Sequence, residues 1–478
     1  MDKNSKIVSK CMLDQEKLDL IHNRSLEILK DSGIRFSSPK ALAVFKKHGL
    51  KVEGEKVYFE ESDIMDALKT VPRKFLLNAR NTDRNQKIEI GTRLRIPGFG
   101  APFIIDIEGN VQDSTLADAQ QFYMLTHMSN CLEINSSIIV QPNDVDSRTS
   151  HLDLLLNMML LSDKPIMAST VSEQAALDSI NMARIVWGNL DKQVMIGLIN
   201  SLSPLQYSKD MSDALMVYAH ECQPVVIHSA CLMGSTGPIT MAGSLILSNA
   251  ANLAGICLTQ LIHPGTPVVY GLGGSPTDLR KGNYVNASPE DVKHILASVD
   301  LANYYHLPSR CMGPITDSLS LDYQAGVEST FLSIFSSLSG ASIIFQACGI
   351  VGSLLYMSYE KFIADMELWR LIGAFEDPIE WTEDALAMDL IKRLGSEGNY
   401  LVDDHTLNRC RNEFYIPELG MREGYAQWQE MENREIKARA KHLVEIRLSS
   451  YERPYIDSKV LRQLNSYVDE RKRNIQDY

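Results

Sequence analysis

Apolar positions along the chain follow two different periods. Over residues 13–70 they recur every three to four positions. LDQEKLDLIHNRSLEILKDSG sets Leu18, Ile21, Leu26 and Leu29 near helical spacing, and Gly33 ends the run. SPKALAVFKKHG opens with Ser38 as cap and Pro39 as first helical residue, and closes at Gly49. ESDIMDALKTV stops before Pro72. This pattern predicts a helical N-terminal region over 1–90.

From residue 91 onward, short β-like runs alternate with helix-like ones. Strands are expected at 94–100, 132–140, 164–170, 194–200, 224–230, 267–271, 309–315 and 341–348. Helical segments such as 174–187, 209–221, 239–262, 289–305 and 323–339 fall between them. Eight strands alternating with crossover helices predict an α/β protein with a parallel sheet covered on both faces. The count favours a TIM (β/α)8 barrel over 91–355, while alternation alone would also suit an open doubly wound sheet. Residues 356–478 read as a C-terminal helical extension packed on the barrel. Within it, EMENREIKARAKHLVEIRLSS mixes charges with spaced apolar residues, as a surface or interface helix does, and allows a homo-oligomer.

Composition narrows the function classes. Apolar residues make up 45% and charged residues 22% of the 478, ordinary for a globular protein. A net charge of -13 argues against nucleic acid as the main partner. The polar N-terminus has no signal-peptide core. The least polar stretch, 239–262, is broken by Ser244, Ser248, Asn249, Asn252, Thr259 and Gln260, which suits a buried helix rather than a membrane span. Eight cysteines show no CxxC pairing, and most read as buried thiols. A cytoplasmic protein without a membrane partner is expected.

Few motifs survive inspection. GSTGPITMAG, residues 234–243, sits where a phosphate loop would, but Pro238 and Ile239 follow Gly237 in place of Lys and Ser/Thr. GLGG at 271–274 is followed by Ser275 and Pro276 and fails the same test. The bland reading of GSTGPITMAG is a tight strand-to-helix turn, with Ser235 or Thr236 capping a helix that starts at Pro238. His228 and Cys231 with Cys311 and Cys348 raise a zinc site, but a core histidine and buried thiols are the simpler reading, and no metal is expected. Asp403, Asp404 and His405 offer the D-x-H of a corrinoid-binding stretch but carry Asn408 where glycine belongs. Phe99, Phe103, Tyr270, Phe345 and Tyr356 fall near strand ends, where a ring of aromatics would attract a quaternary ammonium. Each would also serve as core packing.

Longer stretches resemble the trimethylamine methyltransferase (MttB-like) superfamily. They include SLEILKDSGIRFSS, PRKFLLNARN, IDIEGNVQDSTLAD, GSTGPITMAGSLILSNAANLAGICLTQLIHPGTPVVYG, SPEDVKHILASVDLANYYHLPSR, DYQAGVESTFLSIFSSLSGASIIFQACG, MSYEKFIADMELWR and NYLVDDHTLNRCRNEFYIPELGMREGYAQW, in order along nearly the whole chain. The resemblance implies a TIM barrel that demethylates an amine and passes the methyl to cobalt(I) of a corrinoid (cobalamin) carried by a separate small protein. With ordinary residues throughout, the chain looks like a member without pyrrolysine. Such members act on betaines such as glycine betaine, proline betaine, carnitine or butyrobetaine. A quaternary ammonium leaves as a neutral tertiary amine, so no catalytic acid or base is expected, only positioning and exclusion of water.

On this reading the C-terminal strand ends supply the substrate-binding residues Phe99, Asn200, His228, Tyr270, Arg310, Gln346 and Tyr356. Tyr270, Tyr356 and Phe99 would face the ammonium; His228, Gln346 or Arg310 would bind a carboxylate. Gly234, Ser235 and Gly237 would form the loop facing the cofactor. A zinc-dependent barrel methyltransferase using His228, Cys231 and Cys311, and a non-catalytic betaine-binding protein, are the other readings.

Overall fold

The computed structural model describes residues 12–476. Residues 1–11, which hold Cys11 and the start of the N-terminus on which the signal-peptide expectation rests, lie outside the described residues. The N-terminal helices α1 (Gln15–Asp31), α2 (Pro39–Lys47) and α3 (Glu61–Thr70) form where the spacing placed them. Asp14 accepts from Lys17 N and Ser38 from Ala41 N, each satisfying an orphan amide of a first turn.

The region is not all helical, however. Short strands Ile34–Phe36, Lys51–Glu53 and Lys56–Tyr58 make a small sheet that takes in Gln206–Tyr207 from the body of the protein. Three-residue strands are too brief to show a period of two. Their anchor is tertiary: the Phe36 ring stacks on Tyr207 at 5.0 Å.

All eight expected strands are present. They are β1 (Leu94–Arg95), β2 (Asn135–Ser136), β3 (Ile166–Ala168), β4 (Met195–Asn200), β5 (Val225–Met233), β6 (Val268–Asp278), β7 (Arg310–Met312) and β8 (Ile343–Phe345). Strands β2 to β6 pair in parallel and in chain order, with Asn283–Tyr284 antiparallel at the edge. Strands β7, β8 and β1 form a second parallel set. Backbone bonds tie the two sets at both edges. Tyr270 N donates to Pro308 O at 2.8 Å, and Glu133 N to Arg95 O at 3.1 Å. The result is an α/β fold with a curled parallel sheet.

Helices α4 (Leu116–Met128), α5 (Ser150–Leu161), α6 (Glu173–Trp187), α7 (Lys209–His220), α8 (Met241–Ile262), α9 (Pro289–Tyr304), α10 (Tyr323–Leu338) and α11 (Tyr359–Glu376) follow the strands. Helix α8 is long and apolar enough to cross a membrane, but 78% of its apolar window is buried in protein. Later helices Ile436–Ser449 and Ser458–Gln476 pack back on the body. Ala440 and Val444 are buried, and Arg471 and Tyr467 both donate to the buried Asp178.

The strand pleat sorts side chains into two cores. Ile196, Leu198, Val226, Val269, Ile343 and Phe345 join the inner one. Their neighbours Ile199, Ile227, Tyr270, Leu272 and Ile344 join the outer one, against the helices. A hairpin of Phe75–Leu77 and Gln86–Ile88 sends Phe75, Leu77 and Ile88 into the inner core, and Asn78 N donates to Gln193 O just before β4. The N-terminal end of the sheet is thereby filled with apolar side chains.

Candidate active site at the strand ends

One register step above the inner core the chemistry changes. Leu198 and Val226 are paired positions of the sheet, as are Val226 and Val269; two residues on, the partners are Asn200, His228 and Gly271. The Tyr270–Ser309 bridge brings Arg310 opposite Gly271. A polar layer therefore lies directly on an apolar floor.

His228 Nδ1 is 2.9 Å from Asn200 Oδ1. That oxygen can only accept, so Nδ1 carries the proton and Nε2 is a bare lone pair. Nε2 is buried with no hydrogen-bond partner. Burial, with Arg310 and His294 adding repulsion, holds the imidazole well below its ordinary pKa, so it is neutral.

Arg310 is 2% exposed. Its Nη2 donates to Gln346 Oε1 at 3.4 Å and its guanidinium lies 4.7 Å from the Phe345 ring centre, while Nε and Nη1 have no partner. Burial brings its pKa down to about 10, and it stays charged at neutral pH. A buried cation with two idle donors is a costly arrangement unless an anion completes it.

Two glycines make room for these groups. A Cβ on Gly271 would stand 2.4 Å from Arg310 Cγ and Cδ, and one on Gly273 would stand 2.8 Å from His228 Nε2. GLGG is thus part of strand β6, with its inward positions left bare. From outside, Asn252 Nδ2 donates to the carbonyls of Ile227 and Gly271 and locks helix α8 to these two strands. Gln346 reaches the interior by another route. Next to the inward Phe345, alternation would send it outward, but its φ of +48° turns it towards Arg310.

The other expected site residues divide. Phe99 packs against the inner core. Tyr356 is half-buried in a separate small four-stranded sheet, 5.6 Å from the Phe103 ring. Tyr270 must be corrected: it points out of the sheet, fully buried, and donates to Asn249 Oδ1 at 2.7 Å. Its odd register with respect to Gly271 puts it among helices α1, α8 and α9, so it cannot meet a ligand inside the strands.

In the turn at 234–237, the N–H groups of Ser235, Thr236 and Gly237 all reach Leu232 O, at 3.0, 3.0 and 3.2 Å. No amide of that set is left for a phosphate. Thr236 Oγ1 accepts from Leu232 N, so neither it nor Ser235 caps the helix. The helix begins at Met241 after Thr240, three residues later than expected. Gly237 serves close packing, since a Cβ there would be 2.7 Å from Cys231 Sγ.

The zinc set does not assemble. Cys231 Sγ turns to Ser244 Oγ at 2.9 Å, and Cys311 lies in the outer core. Among the described residues no three His, Cys, Asp or Glu side chains converge to hold a metal. His405 sits in a surface helix whose cap, Asp403, is paired with Arg393.

Several residues of this region escaped the sequence reading. Gly271 and Gly273 were legible only as bare positions on one face of a strand. Asn252 was legible only as a polar break in an apolar helix, and Asp317, which binds Asn286 and Ser353, carried no local signal.

The family model for trimethylamine methyltransferase (MTTB) matches residues 3–476. Glycine betaine methyltransferase of Desulfitobacterium hafniense (strain Y51) is 36% identical over 468 residues, covering 97% of this chain and 98% of that protein. From Eubacterium limosum, proline betaine:corrinoid methyltransferase is 31% identical and L-carnitine:corrinoid methyltransferase 30%; each match covers 95% of this chain and 96% of that protein. With the match running through the N-terminal helices, the curled sheet and the C-terminal helices alike, the chain belongs to the trimethylamine methyltransferase (MTTB) family.

Proposed function

We propose that this chain is a methyltransferase that demethylates a betaine, a quaternary amine bearing a carboxylate, and passes the methyl to a corrinoid held by a small partner protein. The observation that carries the substrate class is Arg310, buried and charged with Nε and Nη1 unpartnered. A carboxylate is the natural complement of two idle guanidinium donors. Neutral His228 adds no second charge to oppose the substrate ammonium. Phe99 is the aromatic left to face that ammonium, because the Phe345 ring is already covered by Arg310.

The relatives' names support both halves of the reading, glycine betaine and proline betaine as donors and a corrinoid as acceptor. Here the corrinoid is a second substrate delivered by its carrier. Its cobalt(I) supplies the electron pair that takes the methyl, while the C–N bonding pair stays on nitrogen. The protein's own work is to anchor the carboxylate at Arg310 and Gln346, aim the N-methyl out of the strand ends and keep water away. No proton has to move, so a neutral His228 suits the reaction.

The same reading takes the eight strands as a closed (β/α)8 barrel, supported by the backbone bonds from Tyr270 to Pro308 and from Glu133 to Arg95. It divides the chain at 1–90, 91–355 and 356–478, and places the protein in the cytoplasm. Calorimetry with glycine betaine and choline tests it, since choline keeps the trimethylammonium and lacks the carboxylate. Glycine betaine is expected to bind at least about tenfold tighter, worth about 1.4 kcal/mol. Equal binding would remove the role given to Arg310. Methyl transfer from the betaine to cob(I)alamin tests the reaction and separates it from mere betaine binding.

A further inference from the structure

A cavity of about 690 Å³ lies on the outer face of the sheet, between β1, the end of α4, α11 and helix Ile436–Ser449. Leu94 and Ile96 belong to the inner core, so the pleat sends Arg95 outward, away from the polar layer at Arg310. The Arg95 side chain is 13% exposed. Its guanidinium lies 4.7 Å from the Trp369 ring centre, and Trp369 is itself fixed, donating Nε1 to Ala347 O at 2.7 Å. Glu133 accepts from the Arg95 backbone N at 2.7 Å but meets Arg95 Nη1 only at 3.4 Å. Arg95 Nε is buried without a partner.

Two more arginines stand on the cavity wall. Arg370 Nη1 and Arg447 Nη2 both reach Glu418 Oε2, at 2.8 and 2.5 Å, so one carboxylate oxygen serves two guanidinium groups. Glu367 also meets Arg370, at 3.2 Å, but its oxygens are shared with Tyr415 Oη and Glu418 N. Cys131 adds no charge, because burial raises its thiol pKa. Three arginines thus line the cavity against the single lining carboxylate of Glu418. Between them the wall is apolar, formed by Met128, Met366, Trp369, Leu443 and Ile446. Helix α11 also presents Gly373 there, where a Cβ would meet nothing within 4 Å. Glycine weakens a helix, and no turn requires it at this position; what it leaves is space.

We propose that this cavity binds a small organic dianion, a dicarboxylate with a short aliphatic body, between Arg95 and the Arg370–Arg447 pair. A buried guanidinium with an idle donor is costly until an anion completes it. The positive charge sits at two depths, Arg95 at 13% exposed and Arg370 at 35%, which suits an anionic group at each end of the ligand. The apolar wall between them suits a methylene stem, and the volume falls within the range of small-molecule sites. A betaine does not fit, because its ammonium would face three guanidinium groups. The ligand ties helix Ile436–Ser449, through Arg447, to α11 and β1, so its presence stabilises the packing of the C-terminal helices on the sheet. The site lies apart from Arg310 and does not depend on the reaction proposed above.

Calorimetry with glutarate on the full chain tests the site. The parent should bind glutarate with a Kd of about 1 mM or below, and inorganic phosphate at least about tenfold more weakly. Arg447→Gln removes a charge from the wall and Gly373→Leu fills the space; each should weaken glutarate at least about tenfold, and Arg95→Met should weaken it most. Arg310→Met should bind glutarate as the parent does, which separates the cavity from the strand ends. Glutarate should also raise the melting temperature of the parent but not of Gly373→Leu, and the ligand-free melting curves show whether each variant is folded. A parent that takes up no glutarate at about 10 mM overturns the proposal. So does parental affinity in folded Arg447→Gln and Gly373→Leu. Loss of glutarate binding in Arg310→Met assigns the anion to the strand ends and overturns it too. Phosphate bound as tightly as glutarate removes the role of the apolar wall and overturns the organic class of ligand.

Discussion

Replacing Arg310 by methionine separates a binding role from a structural one, because the two roles move stability in opposite directions. Burial lowers the Arg310 pKa to about 10. At 1.36 kcal/mol per pKa unit, that shift represents roughly 3 kcal/mol of unfavourable desolvation in the folded protein. The guanidinium is charged at pH 7 whether the chain is folded or not, so the whole cost falls on the folded state. Two contacts offset part of it, the 3.4 Å bond to Gln346 and the stacking over Phe345. The stacking is worth about 0.5–2 kcal/mol. Methionine keeps an unbranched stem against Gly271 and can place its sulfur on the same ring.

Arg310→Met should therefore leave the free protein as stable as the parent or stabilise it by about 1–2 kcal/mol. Betaine affinity should fall by about 2–5 kcal/mol, since the carboxylate would enter a buried site with its partner gone. Thermal unfolding with and without betaine, together with calorimetry, measures both. Saturating betaine should raise the melting temperature of the parent but not of the variant. A variant that is less stable by more than about 1 kcal/mol and still binds betaine normally would show Arg310 to be structural and refute the reasoning.

Other predictions follow from buried groups. Gly271→Ala places a methyl 2.4 Å from Arg310 Cγ and Cδ, mid-stem atoms with no free end to move aside, so it should cost about 1–3 kcal/mol of stability and weaken betaine binding; full affinity by calorimetry would show that the arginine tolerates displacement. Burial holds His294 at about 4, below its ordinary range, so the unfolded chain takes up a proton first as pH falls below about 6.5. Its contribution to stability is full above that pH and should shrink by about 2 kcal/mol at pH 5, so His294→Gln should flatten the loss of stability between pH 7 and 5; an unchanged slope would contradict this. Lys361 Nζ donates to Pro314 O at 2.7 Å and pairs with the buried Asp365 at 2.5 Å. Lys361→Met should cost about 3–5 kcal/mol by stranding that carboxylate, with much of it regained in Lys361→Met/Asp365→Asn; a loss under about 1 kcal/mol would count against it.

The spacing of apolar residues located all eight parallel strands and five of the helices between them, though not Leu116–Met128 or Ser150–Leu161, because strand and helix periods are local properties of the chain. Helices α6 and α9, expected at 174–187 and 289–305, span Glu173–Trp187 and Pro289–Tyr304. The polar breaks in 239–262 marked a buried helix, and Asn252 among them proved to hold β5 and β6.

What the local pattern left open was the parity of each strand. A parallel sheet covered by helices is apolar on both faces, so hydrophobicity does not say which alternate set points inward. That is why Tyr270 and Gly271 exchanged significance: the conspicuous aromatic faces the helices, and the bare glycine lies beside Arg310. Gln346 enters the site through a left-handed backbone that breaks the alternation, and Asp317 joins three loops distant in sequence. Only the tertiary structure brings Asn200, His228, Arg310 and Gln346 together, because neighbouring parallel strands are separated in sequence by whole helices and set their register through packing.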